Sequence, residues 1–349
     1  MGSEIDFLAH LASESARFAQ AISAAQPAAL VPSCPDWTAD DLLWHLGEVQ
    51  WFWGTVVREG LTGDEAEALK PPRPDGRAAL AAFYQRASHD LGEALAAAAP
   101  DTPAWTWSPD QTVGFIRRRQ AHEALIHRID AELTAGNRTP MDPGLSADGV
   151  DEALRVMYGG EPDWGTFTPD PGCTVRLGAR DTGDTWLVTV GRFTGTDPAD
   201  GTRYDQPDLH AADSDPGGAA AAEVGAAAAD LDCWLWHRPA FTPVTSSGDE
   251  AVLGRFTAAI APGLNGRPRA RRARPPRRSW SPAGTRRPRW LAVPCWRHTW
   301  TPRPSRFQMS ATGLSVTRLA YSGWGAPMIS RSAAASTSPS GRRRGSAVT

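Results

Sequence analysis

The sequence predicts a helical bundle followed by a small α+β domain and then a basic stretch of low order. Three observations predict it. Apolar residues recur at helical spacing in four successive segments before about residue 135. The spacing then changes to strict alternation near residues 175–190. From residue 257 onward there are 18 Arg and no Asp, Glu or Lys, which leaves 18 basic groups against all 39 acidic ones before it. The expected boundaries are 1–140 for the bundle, 141–256 for the α+β domain and 257–349 for the tail.

The first helix is expected over 4–25, striped by Ile5, Leu8, Leu11, Phe18 and Ile22. Prolines at 27, 32 and 35 break it, and Cys34-Pro35-Asp36-Trp37 reads as a turn. Thr38 fits an N-cap, with Asp40 and Asp41 favourably placed against the helix dipole. The helix it opens runs to about Glu59, with Leu42, Leu46, Val49, Trp53 and Val56 on one face. Pro71-Pro72-Arg73-Pro74 separates it from a third helix near 76–98, and a fourth occupies 111–135, ending at Gly136. Beyond it, Ser146 is placed to cap a short helix through Tyr158. Val175, Leu177 and Ala179, then Trp186, Val188 and Val190, predict a hairpin turning at 178–184. An Ala-rich helical stretch ending at Trp236, a strand near 241–245 and a helix from Gly248 to Phe256 complete the α+β part.

Composition excludes several classes. At 41% apolar residues the chain can bury cores, but no run approaches the ~20 residues that cross a bilayer. The acidic N-terminus lacks the basic and apolar regions of a secretory signal, so a cytoplasmic chain is expected. The acidic body argues against nucleic acid as partner. Four cysteines (Cys34, Cys173, Cys233, Cys295) form no CxxC pair, so neither a disulfide framework nor a cysteine zinc site is expected. The tail's mixture of Arg, Pro, Ala, Gly, Ser and five Trp fits read-through or alternative-frame translation of GC-rich coding sequence. A disordered interaction tail and a further folded domain are the other readings.

The fourth helix carries His122-Glu123-Ala124-Leu125-Ile126-His127. Residues four apart lie about 40° from each other on a helix, so Glu123 and His127 can close on one ion. His122 and His127, five apart, diverge by about 140° and cannot readily share it. The pattern is E-x-x-x-H, not the H-E-x-x-H of zinc proteases. His45, about 60° from the centre of the second helix's apolar stripe, points inward and is the best third ligand. Two imidazoles and one carboxylate suit a catalytic divalent metal, zinc first, with positions open to water or substrate. On spacing alone the alternative stands that His45 is a core histidine and Glu123–His127 a surface pair. Arg119 lies near the same apolar stripe and could meet an anionic substrate, although solvated charge is the plainer reading.

Cys34-Pro35-Asp36-Trp37-Thr38 and Leu42-Leu43-Trp44-His45-Leu46-Gly47-Glu48-Val49 resemble the start of the mycothiol-dependent maleylpyruvate isomerase family. The resemblance continues through Arg117–Glu123, His127-Arg128, Asp130–Glu132, Ala147–Glu152, Ala229–Leu231, Leu235-Trp236 and Gly248–Ala251, covering about residues 5–256. It implies a DinB-like four-helix fold in the N-terminal half, with metal ligands at His45, Glu123 and His127, and the family's small α+β domain after it. It also implies a metal- and mycothiol-dependent isomerase or thiol S-transferase acting on a small electrophile, in which the thiol is the cofactor's. A non-catalytic DinB-like protein that binds metal or ligand for regulation is the alternative. His237 departs from the family pattern, where a glycine is common in similar sequences.

Overall fold

Helix α1 (Phe7–Ala24) opens on Asp6, whose carboxylate accepts the Ala9 N–H at 3.0 Å. A short hairpin, β1 (Leu30–Val31) and β2 (Cys34–Thr38), leads into α2 (Ala39–Glu59). Thr38 and Asp41 form a reciprocal capping box there, with bonds of 2.9 and 3.2 Å, and Gly60 closes the helix at φ 65°. After α3 (Gly63–Ala68), a short helix the sequence does not announce, come α4 (Arg77–Ala97) and α5 (Val113–Ala135). The computed structural model describes residues 5–261 except 161 and 199, so the Arg-rich stretch expected as a tail lies outside the described residues from 262 onward.

Helix α1 packs along α5, and α2 packs along α4 and touches α5. Glycines on α2 allow the second approach: a Cβ on Gly54 would stand 3.2 Å from Leu91 Cα, and one on Gly47 would stand 3.2 Å from Phe83. Helix α5 is buried through its central turns. Every residue from Arg119 to Glu132 is buried, so its charged side chains must find partners inside. Arg128, fully buried, donates to Glu14 at 2.7 Å and to Glu132 at 3.0 Å.

Helix α6 (Pro143–Glu152) is capped by Asp142, four residues before the expected cap at Ser146, which is an N-terminal-turn residue inside it. It widens into a π-helical segment, Ala153–Tyr158. Strands β3 (Gly165–Ala179), β4 (Thr185–Thr196), β5 (Arg203–Ala211), β6 (Ala222–Ala226) and β7 (Thr245–Gly248) make one sheet in the order β5-β4-β3-β6-β7. The predicted hairpin is β3–β4, in the register Val175↔Val188 and Leu177↔Trp186. Two strands of this sheet escape the sequence reading, as does the β1–β2 hairpin, where Cys34-Pro35-Asp36-Trp37 reads as a turn but pairs as a strand. The Ala-rich β6 reads as helix, yet it pairs parallel to β3 and buries Ala222, Val224 and Ala226, so packing overrides a poor intrinsic strand preference. Strand β5 carries Pro207, which an edge position tolerates.

Helix α7 (Ala228–Leu235) and α8 (Glu250–Ile260) complete the fold. The latter runs four residues past the boundary expected at 256, with Ala259 and Ile260 buried. The sheet's core takes in Ile126 of α5, while Leu145 and Cys233 of the later half enter the helical core. The described residues thus form one compact unit with interlocked cores. No helix among them is long and apolar enough to cross a membrane.

Candidate metal centre

His45 stands two turns into α2, held inward by the capped start of that helix and by Trp37, whose ring centroid lies 4.7 Å from its own. Glu123 and His127 face it from consecutive turns of α5. His127 Nε2 lies 3.2 Å from Glu123 Oε1, and His45 Nε2 lies 3.5 Å from the same oxygen. All three ligand atoms fall within 4.8 Å of one another, and all three residues are buried. Four ligands placed tetrahedrally around zinc at 2.0–2.2 Å stand about 3.3–3.6 Å apart, and the separations of 3.2 and 3.5 Å from Glu123 Oε1 to the two imidazoles come close to that. His45 Nε2 and Glu123 Oε1 are buried without a hydrogen-bond partner. Leaving such atoms unpaired is costly, and a cation between them would satisfy both.

The charges around the three side chains also favour a cation. Burial alone would lower the pKa of His127, but the bond to Asp130 and the negative charge of Glu123 outweigh it and raise it. Burial alone would raise that of Glu123, but His127, His45 and Arg119 hold it well below the usual carboxylate range. His45, with weaker compensation, is lowered by its burial.

Two buried arginines flank the site. Arg238 donates to both oxygens of Asp130 at 2.9 and 2.6 Å, and Asp130 in turn engages His127 Nδ1 at 2.9 Å. With Nδ1 as donor, the Nε2 lone pair of His127 faces the other two ligands. Burial pushes the Asp130 carboxyl up, yet the Arg238 charge and the bonds from His127 and Arg238 keep it well below the usual range. On the other side, Arg119 donates to Glu123 Oε2 at 3.1 Å and pairs with Glu152 at the end of α6. Its guanidinium lies 5.2 Å from the centroid of the Trp236 ring.

Residues 8–132 match the family described as "Mycothiol maleylpyruvate isomerase N-terminal domain". That stretch belongs to the family. It spans most of α1 through α5 and contains all three candidate ligands. A solved structure of a histidine-to-alanine mutant of the mycothiol-dependent maleylpyruvate isomerase is 14% identical to the chain, with a TM-score of 0.43 over 69% of this chain and 92% of that one. No curated protein matches the chain.

Within this isomerase-family domain the three residues singled out from the sequence are brought together. His122 is not: it is buried on another face of α5, 2.7 Å from Asp148, beside the Phe7 ring. Arg119 corrects the plainer sequence reading. It is buried rather than solvated, and its two terminal nitrogens are taken by carboxylates, so it is not a free receptor for an anion. Of the other histidines, His89 lies with Asp90 and Glu93 on an exposed face of α4, His210 and His237 are exposed, and His298 lies outside the described residues. The bundle tryptophans pack on other aromatics: Trp53 on Trp105, with centroids 6.0 Å apart, and Trp44 on Phe83 at 5.1 Å.

Sequence reasoning missed Asp130, Arg238 and Glu152 as neighbours of the ligands. Asp130 was detectable, since a carboxylate three residues after a ligand histidine shares its helical face. Arg238 carries no local signal. It reaches the core because His237 adopts φ 60°, the left-handed conformation that glycine favours. That turn lets the Arg238 N–H close on Cys233 O at 2.7 Å and aims the side chain inward. Cys173 and Cys233 are free and buried. Cys34 is also buried and, unlike them, is disulfide-bonded.

Proposed function

We propose that the chain is a divalent-metal- and mycothiol-dependent enzyme, an isomerase or thiol S-transferase acting on a small electrophile. The metal, zinc by preference, would be held by His45, Glu123 and His127 in a DinB-like bundle. The observation that carries this reading is the pair of buried, unpartnered atoms, His45 Nε2 and Glu123 Oε1, facing each other at 3.5 Å. The family matched by residues 8–132 is described by its mycothiol dependence, and that supports a thiol as the second component.

When bound, a divalent cation would lower the pKa of a coordinated thiol and so favour a thiolate at neutral pH. The chain's own groups prepare for that. Three protein ligands leave a tetrahedral ion one position for an external group. Asp130 fixes the His127 tautomer, and burial of the ligands keeps bulk water from competing. No cysteine lies among the ligands, and burial pushes the Cys233 thiol up to about 12, so it stays protonated. These features support a cofactor thiol rather than a protein nucleophile.

The test is elemental analysis of purified protein, followed by a screen of electrophiles and cis-enoic acids with and without mycothiol. Close to one divalent ion per chain is expected, lost in His45→Ala, Glu123→Ala and His127→Ala and kept in His122→Ala. Turnover is expected only with metal and thiol together. Tight metal binding with no turnover across the screen would favour the regulatory, non-catalytic reading instead.

A further inference from the structure

Glu123 is a carboxylate with two chemically equal oxygens, yet its surroundings treat them differently. Oε2 accepts from Arg119 Nη2 at 3.1 Å. Oε1 has no donor and stands 3.2 Å from His127 Nε2 and 3.5 Å from His45 Nε2. Arg119 is itself restrained. Its Nη1 pairs with Glu152, its side chain is 5% exposed, and the Trp236 ring lies 5.2 Å below the guanidinium. Glu152 and Trp236 lie outside residues 8–132, so groups from the later half of the chain reach a ligand carried by the earlier half.

We propose that Arg119, anchored by Glu152, is a positioning residue that presents Glu123 to the metal through Oε1 alone. The proposal rests on the metal reading above. A fixed fork occupying Oε2 prevents the carboxylate from rotating to offer both oxygens, and holds the one-oxygen geometry before any ion arrives. Glu152 acts through Arg119, because it accepts from Nη1 while Nη2 of the same guanidinium serves Glu123, with the Trp236 ring against it.

Charge and positioning predict opposite signs, which makes the test decisive. A buried cation beside a metal site repels the metal, so on charge alone Arg119→Gln tightens binding. On positioning it weakens binding, because Glu123 loses its orienting donor; outer-shell changes of this kind cost about 10–100-fold in affinity. The experiment is titration of the metal-free full-length protein with cobalt(II), read by visible absorption and by competition with a chelator. Arg119→Gln is expected to bind 10–100-fold more weakly, with an altered ligand-field spectrum. Glu152→Gln should weaken binding less, and the double variant should be no worse than Arg119→Gln. An Arg119→Gln protein that is folded and binds cobalt as tightly or more tightly, with an unchanged spectrum, overturns the proposal and leaves the metal site standing. Additive losses in the double variant overturn the relay from Glu152. Should Arg119→Gln fail to fold, Glu152→Gln decides alone: an unchanged affinity and spectrum would overturn it. Wild-type protein that takes up no cobalt removes the metal reading and this proposal with it.

Discussion

Replacing Asp130 by Asn probes the junction on which His127 depends. The substitution keeps the shape of the side chain and removes its charge, so Arg238, whose side chain is 4% exposed, is left in the interior without an anion. Two bonds of 2.9 and 2.6 Å to a carboxylate become at most one bond to an uncharged amide oxygen. Breaking a buried pair by removing one partner costs about 3–5 kcal/mol, most of it the penalty of the stranded charge. At about 2–4 °C per kcal/mol for a domain of this size, the melting temperature should fall by roughly 10 °C. The assay is urea and thermal unfolding of metal-free protein, so that lost metal binding does not add to the difference. A second variant, Arg238→Met, and the double variant close the cycle. Once the charge is gone from both sides, the double variant should be less destabilised than the sum of the singles. An Asp130→Asn protein within about 1 kcal/mol of wild type, or singles that simply add, would refute the claim that the pair is a buried, mutually dependent unit.

Four further outcomes are expected. Cys233 lies under Arg138 and Met141, with its sulfur 3.0 Å from Arg138 Nη2 and 3.4 Å from Met141 Sδ, so peptide mapping after iodoacetamide treatment of native protein should find it unmodified. His237→Gly relieves a left-handed conformation worth about 1–2 kcal/mol and loses a bond to Ile260 O of 2.9 Å, so its stability should change by less than about 1 kcal/mol. His237→Val, β-branched at φ 60°, should cost more than about 2 kcal/mol in urea unfolding. Truncation after Phe256 removes the buried Ala259 and Ile260 and should lower stability by at least about 2 kcal/mol relative to truncation after Ala261.

The elements most legible in the sequence are those whose signal is local. The Thr38 cap, the stripe of Leu42, Leu46 and Trp53, the β3–β4 alternation and the Asp249 start of α8 all follow from spacing within a few residues, and the structure has each of them. What was harder to read depends on partners remote in sequence. Strand β6 is a strand because β3 and β7 flank it, not because Ala222–Ala226 prefers to be one. Helix α5 shows why burial can be hidden. Its polar residues suggest solvent, and only the tertiary structure supplies partners at Glu14, Asp148, Glu152 and Arg238.

For the candidate site, the sequence by itself determined which atoms can share one ion. Helical periodicity puts Glu123 and His127 on one face and turns His122 away, and the cap at Thr38 sets the phase of His45. Only the tertiary structure decided that these atoms meet, at 3.2 and 3.5 Å, and which groups hold them there. The physical reason is that a helix fixes directions over a few ångströms, whereas the distance between two helices, and a charge that arrives from residue 238 or 152, is set by packing of the whole chain.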